Sequence, residues 1–214
     1  DLERLKGFDL GAVIDLRRPG ERRDQPSRRP DGFDALVIEG GIDDGADAPH
    51  IAFLKTEDLT PASGRRFMER TYRSLPFDAS HIDVFSRYFH SLGDQDRPVL
   101  VHCAAGKDRT GFLAALTHHL LGVHRDDMVE DYLLTNTAVD LVGRAPSIAR
   151  QLHKMTGRVA SDDAVVAFLG VEPAYLEAAF AEVEARHGSL DAYLAQALGV
   201  DAALRARIEA RLSA

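Results

Sequence analysis

With 214 residues, 45% hydrophobic and 28% charged, the chain has the composition of a globular protein with a substantial core, and it is read as one domain over 1–214. Its formal charge of −8 excludes broad nucleic-acid binding, which needs a basic excess, so any anion site must be local. One cysteine forbids an internal disulfide, no apolar run approaches the roughly 20 residues of a membrane span, and no apolar signal segment follows Asp1; the expectation is a soluble, cytoplasmic protein without membrane insertion, with export and oligomeric state left open.

Leu2 and Leu5 share a helical face before Gly7, which predicts a short opening helix. Gly11 to Leu16 (GAVIDL) reads as a buried strand, with Asp15 near the C-terminal end, where parallel sheets place their ligands. The following RRPGERRDQPSRRPDG carries Arg17, Arg18, Arg22, Arg23, Arg28 and Arg29 among prolines and glycines. It reads as an exposed loop, either simply solvated or forming a basic rim that attracts an anionic substrate. Ala35 to Ile38 is a second strand, and Glu39 to Pro49 a glycine- and aspartate-rich loop. Thr60-Pro61 has the cap-then-proline order of a helix start, and that helix is predicted to run to Ser74. Ser80 and Asp83 have capping-box spacing, which makes Asp83 a cap and Asp78 a turn residue, while Ile82, Phe85, Phe89 and Leu92 repeat at helical spacing up to Gly93.

The stretch Pro98 to Gly111, PVLVHCAAGKDRTG, organises the rest. An apolar strand ends in His102 and Cys103, a short loop follows, and Thr110-Gly111 opens a helix whose period Phe112, Leu113, Leu116, Leu120, Leu121 lasts to Gly122. A loop entering a helix N-terminus offers backbone N–H groups and the positive end of the helix dipole to a phosphate. Ala104, Ala105 and Gly106 let the backbone curl closely around it, and Arg109 adds a planar two-pronged grip. The same field lowers the pKa of the Cys103 thiol and makes it a nucleophile toward phosphorus, which predicts a covalent cysteinyl-phosphate. Thr110 is placed to steady the sulfur, and His102 to orient the loop rather than act as a base. A helix begins again at Asp126 or Asp127. From Ala138 onward the pattern is almost wholly helical, with breaks at Ser161-Asp162, Glu172-Pro173, Gly188-Ser189 and Gly199-Asp201.

HCAAGKDRTG, a His-Cys followed after five residues by Arg-Thr-Gly, resembles the signature of the cysteine-dependent protein tyrosine phosphatase superfamily, and with Lys107 and Asp108 its atypical bacterial branch that includes mycobacterial members. VIDLRRPGER, YRSLPF, EDYLLTN and GSLDAYLAQALGV are similar to the same branch, so the resemblance covers most of the chain. It implies an α/β fold with a mostly parallel sheet flanked by helices, and hydrolysis of phosphotyrosine, extending to phosphoserine, phosphothreonine and phosphoinositides. It also implies a helical lid, for which 137–168 corresponds; plain helix packing is the other reading of that segment. Lysine at the position of Lys107 occurs in phosphoinositide phosphatases, and an exposed lysine is the alternative. No cofactor is implied.

The leaving oxygen needs a proton, and with no tryptophan in the chain the usual Trp-Pro-Asp acid loop is missing. Asp108 is the first choice of acid, in line with the branch, with a fixed salt bridge as its competing role; Asp15 is the second, steered by Arg17, ahead of Asp78 and Asp83. The Gly-Lys pair does not make a nucleotide loop, because Asp108 replaces the required Ser or Thr and Val101 the first Gly. The nine histidines show no metal-ligand spacing. A catalytically silent phosphate-binding module and a rhodanese-like sulfurtransferase remain as alternatives.

Overall fold

Three short stretches pair as parallel strands in the order β2-β1-β3, where β1 is Ala12–Asp15, β2 Leu36–Glu39 and β3 Val99–His102. The register sets Asp15 level with Glu39 on one side and His102 on the other, so all three strands end at the same height. This computed structural model describes residues 1–41, 49–138 and 140–213. Around the sheet run α1 (Leu2–Lys6), α2 (Pro19–Asp24), α3 (Pro49–Thr56), α4 (Pro61–Ser74), α5 (Ala79–Asp94), α6 (Asp108–Leu120), α7 (Arg125–Leu133) and α8 (Thr135–Ala138). The C-terminal part adds α9 (Leu141–Thr156), α10 (Asp162–Leu169), α11 (Pro173–His187), α12 (Leu190–Gln196) and α13 (Ala202–Leu212). The fold is α/β, with a parallel sheet flanked by helices.

The chain divides into two compact units: Asp1–Gly45, Pro76–Val123 and Val183–Ala214 form the first, and Ala46–Leu75 with His124–Glu182 the second. The first unit holds the sheet. Its core joins Ala12 and Ile14 of β1 to Phe85 and Phe89 of α5, Phe112, Leu113 and Leu116 of α6, and Leu204 and Ile208 of α13, all at most 2% exposed. Gly93 permits the close approach of α5 and α13, since a Cβ there would stand 2.4 Å from Leu204 Cδ1. The second unit is helical and packs Tyr72, Tyr132 and Tyr175 together, with a 2.6 Å hydrogen bond between the Tyr72 and Tyr132 hydroxyls. Residues 137–168 lie in this unit and comprise the end of α8, all of α9 and most of α10. The stretch Asp162–His187 is apolar and long enough to cross a membrane by composition, but 56% of its most apolar window is buried inside the protein and Gly170–Glu172 break it into α10 and α11.

Most helix starts follow the sequence signals. Thr60 Oγ1 accepts from Ser63 N at 3.2 Å, Ser161 Oγ from Ala164 N at 3.2 Å and Asp201 Oδ1 from Leu204 N at 2.7 Å. Two expectations need correction. Asp78, not Ser80, caps α5: its Oδ1 accepts from Ser80 N at 2.9 Å, while Asp83 sits on the exposed helix face 3.4 Å from Arg87. The arginine-rich run is not wholly loop, because Pro19 at the first helical position and Glu21 two residues on start α2. The expected loop Glu39 to Pro49 lies largely outside the described residues, and α3 follows it where no helix is predicted.

Candidate active site

Cys103 follows the end of β3, and β1, β3, α2 and α6, which supply the contacts described below, belong to the first unit. Cys103 is 7% exposed; Ala104, Ala105 and Gly106 are exposed; Lys107 is buried again at 7%. Gly106 has φ +67°, a left-handed turn that glycine adopts without strain, and no other protein atom lies within 4 Å of where a Cβ would stand. The helix begins at Asp108, two residues earlier than its sequence pattern announces, and Gly111 N donates to Lys107 O at 2.8 Å. Arg109 and Thr110 therefore sit in the first turn of α6, where the dipole is positive.

Burial pushes the Cys103 thiol up, but the Thr110 hydroxyl, the Arg109 guanidinium and the backbone N–H groups of Thr110 and Ala105 outweigh it and hold the thiol below its ordinary pKa. Thr110 Oγ1 is buried and makes no hydrogen bond of ordinary geometry among the described residues, yet lies close enough to the sulfur to contribute to this lowering. His102 Nδ1 lies 3.3 Å from Cys103 O, beside the loop and on the backbone side of the cysteine.

Arg109 is held from β1 and α2. Its Nη1 donates to Leu16 O at 2.8 Å and to Glu21 Oε2 at 2.7 Å, and its Nη2 to Glu21 Oε1 at 2.9 Å. Glu21 Oε2 also accepts from Arg18 N at 2.7 Å, which fixes the carboxylate from its own helix start. Burial raises the Glu21 pKa, and the hydrogen bonds and charge of Arg109 more than reverse this, so Glu21 stays ionised. Leu16 N in turn donates to His102 O at 2.8 Å, so the residue that leaves β1 braces both the end of β3 and the arginine. Sequence reasoning missed Glu21. The only signal it left was an acid in the first turn of a stretch otherwise dominated by arginine, and the pairing spans 88 residues of sequence.

Asp15 occupies the end of β1, 3% exposed, and Arg17 saturates it. Arg17 N and Nε donate to Oδ1 at 3.0 and 2.9 Å, and Nε and Nη2 to Oδ2 at 3.1 and 2.7 Å. Burial raises the Asp15 pKa and the Arg17 bonds bring it below the ordinary carboxylate value. Its other neighbour is His102, whose Nε2 stands 3.8 Å from Oδ2. Asp108 is part-exposed at the start of α6, with Lys107 Nζ 3.5 Å from its Oδ1. The site thus brings together Cys103, Ala105, Lys107, Asp108, Arg109 and Thr110, with His102 and Asp15 alongside; Asp78 and Asp83 remain with α5. Of the arginine run, Arg17 also donates to Gln25 O and Ser27 Oγ, Arg22 bonds Arg17 O and Gly40 O, and Arg29 lies over the Phe33 ring, so these three hold the segment together rather than form a free rim. Among the described residues no group of three or more His, Cys, Asp or Glu is arranged to hold a metal ion.

Comparison with known proteins gives this geometry a context. A model described as "Tyrosine phosphatase family" matches residues 1–214. A protein of Cupriavidus necator named as a tyrosine-protein phosphatase is 32% identical over 206 residues, covering 95% of this chain and 71% of that one. The triple specificity protein phosphatase PtpB of Mycobacterium tuberculosis is 35% identical over 222 residues, covering 90% and 79%, and a tyrosine-protein phosphatase of Nostoc commune is 42% identical over 153 residues, covering 63% and 46%.

Proposed function

The chain belongs to the tyrosine phosphatase family and is a protein tyrosine phosphatase; we propose that it works through a cysteinyl-phosphate formed on Cys103. The observation that carries this reading is a buried cysteine at the end of β3 facing Arg109 and Thr110 in the first turn of α6, an arrangement that also holds the thiol below its ordinary pKa. The thiolate attacks phosphorus as the bond to the leaving oxygen breaks, and that oxygen takes its proton from Asp108. Arg109 and the loop N–H groups meet the charge on the phosphoryl oxygens, a task in which one well-placed donor is typically worth about 10²–10³ in rate. Water then attacks the phosphorus of the P–S intermediate, giving its proton to the Asp108 carboxylate; the P–S bond breaks, releasing inorganic phosphate and restoring the thiolate. Thr110, beside the sulfur, favours its anion in both halves of the cycle. Asp15, already saturated by Arg17, is the weaker candidate for acid and fits a positioning role.

On substrate, the reading is phosphotyrosine first, extending to phosphoserine, phosphothreonine and phosphoinositides. Lys107, buried next to the loop, supplies a second cation for a substrate with more than one phosphate. The deciding experiment compares wild type and Cys103→Ser on phosphotyrosyl and phosphoseryl peptides and on phosphoinositide. Cys103→Ser should lose at least about 10³-fold while still binding phosphate, since a covalent nucleophile has no substitute. A loss below about tenfold would overturn the mechanism. Equal turnover of peptides and lipid by wild type establishes the broad range, and turnover of phosphotyrosine alone removes the extension.

A further inference from the structure

From Leu141 to Ser161 the sequence holds Arg144, Arg150, Lys154 and Arg158 and no Asp or Glu, in a chain whose formal charge is −8. The structure fixes which way this segment faces. Ala145 of α9 is fully buried, and Ile148, Ala149 and Leu152 pack against Ala160, Ala164 and Val165, so one stripe of the helix is committed to the core of its own unit. Arg150 and Lys154, one turn apart, are left on the outward side, both exposed.

At the C-terminal end of α9 each of two basic residues is followed by a protruding apolar one. Met155 follows Lys154 and is 65% exposed; Val159 follows Arg158 and is 80% exposed, just past the left-handed Gly157 that ends the helix. Of the acids nearest in sequence or by contact, Asp140 caps the start of α9 and Asp162 and Asp163 open α10, while Asp58 lies 3.6 Å from Arg158 and offsets its charge, so the cations of the face are Arg150 and Lys154. Arg150 and Lys154 form no ion pair among the described residues.

A helix held by one apolar stripe, with cations outward and apolar side chains projecting beside them, has the features of a surface that lies on a bilayer. The cations meet anionic headgroups while the apolar groups enter the boundary below. An acidic protein would use the cations but gain little from Met155 and Val159, and this favours lipid. We propose that the outward face of α9, with the turn through Val159, is a peripheral docking surface for anionic lipid headgroups. It stands independently of the catalytic reading, because its test measures binding and not turnover.

The full chain is floated with vesicles of phosphatidylcholine alone, or of phosphatidylcholine and phosphatidylserine in equal parts, at low and high salt. Wild type should partition onto the anionic vesicles only and be released by salt. R150E/K154E should lower that partitioning at least about tenfold, because cations near such a surface count singly. M155S/V159S should lower it severalfold at unchanged charge. Circular dichroism and melting confirm that each variant folds; if the charge-reversed pair does not, R150Q/K154Q takes its place with a smaller expected loss. Equal binding to neutral vesicles, no vesicle binding, or full binding by a folded charge variant overturns the proposal. So does equally tight capture of soluble polyglutamate with M155S/V159S unchanged, which would assign the face to an acidic protein.

Discussion

Two strands of the sheet, β1 and β3, end level with each other, and each leads through a short turn into a helix with a charged first turn. They do opposite things with the same residue types. After β1, Arg17 closes on Asp15 with four hydrogen bonds, and the segment's charges satisfy one another. After β3, the carboxylate that pairs with Arg109 comes from across the sheet, on α2, and grips only the terminal nitrogens from behind. The result is a guanidinium fixed in place beside the Cys103 thiol by a residue from outside its own loop. Strand, loop and helix alone therefore do not make an anion site; what matters is whether the donors are already spent within the loop.

The sharpest way to break this contrast is at its two arginines. Arg109→Lys should lower kcat/KM by about 10²–10³-fold, since the planar two-point grip cannot be rebuilt by an ammonium, whereas Arg17→Lys should act mainly through stability. Next comes the proton. Asp108→Asn should cost about 10²–10³-fold on substrates with poor leaving groups and much less on activated aryl phosphates. Asp15→Asn should show no such leaving-group dependence and instead destabilise the fold by about 2 kcal/mol, read by denaturant melting, because it weakens a charged hydrogen-bond set. The opposite pattern would exchange the roles assigned to the two aspartates.

Smaller effects test the support. Glu21→Ala should lower phosphate affinity and kcat/KM by about tenfold or more, with Glu21→Gln recovering part of it by keeping a hydrogen bond to Arg109. An unchanged affinity in both variants would reduce Glu21 to a surface ion pair. Thr110→Val removes one of the influences that lower the Cys103 pKa, so the pH at which the thiol becomes alkylated should move upward, while Thr110→Ser leaves it near wild type. The smallest change is in stability with pH. Glu21 and Asp15 have folded pKa values below their unfolded ones, so both stabilise the fold above the ordinary carboxylate range of about 4. That contribution is lost as pH falls through the lowered values, so the melting temperature should hold at neutral pH and drop below about pH 4, less steeply in Glu21→Gln.

The strand-to-helix loop at Cys103 was legible because its pattern is local: a thiol, three small residues and an arginine fall within seven positions of one turn. The starts of α4, α10 and α13 were legible for the same reason; α2 and α3 were not expected, α6 begins two residues early, and at α5 two capping residues two positions apart compete and the backbone N–H of Ser80 settles on Asp78. The arginine-rich run misled, because residue type reports charge but not whom the charge meets.

The sequence by itself determined the strand-loop-helix at Cys103 to Gly111 and the stretches that become β1, β2 and β3, since each depends on neighbours a few residues apart. Only the tertiary structure decided that Glu21 holds Arg109 and that Arg17 ties up Asp15. The first of these pairs joins residues far apart in the chain and exists only because parallel pairing brings the ends of β1 and β3 to the same height. The second is local, but its outcome rests on burial, which strips water from Asp15 and leaves Arg17 as its principal partner.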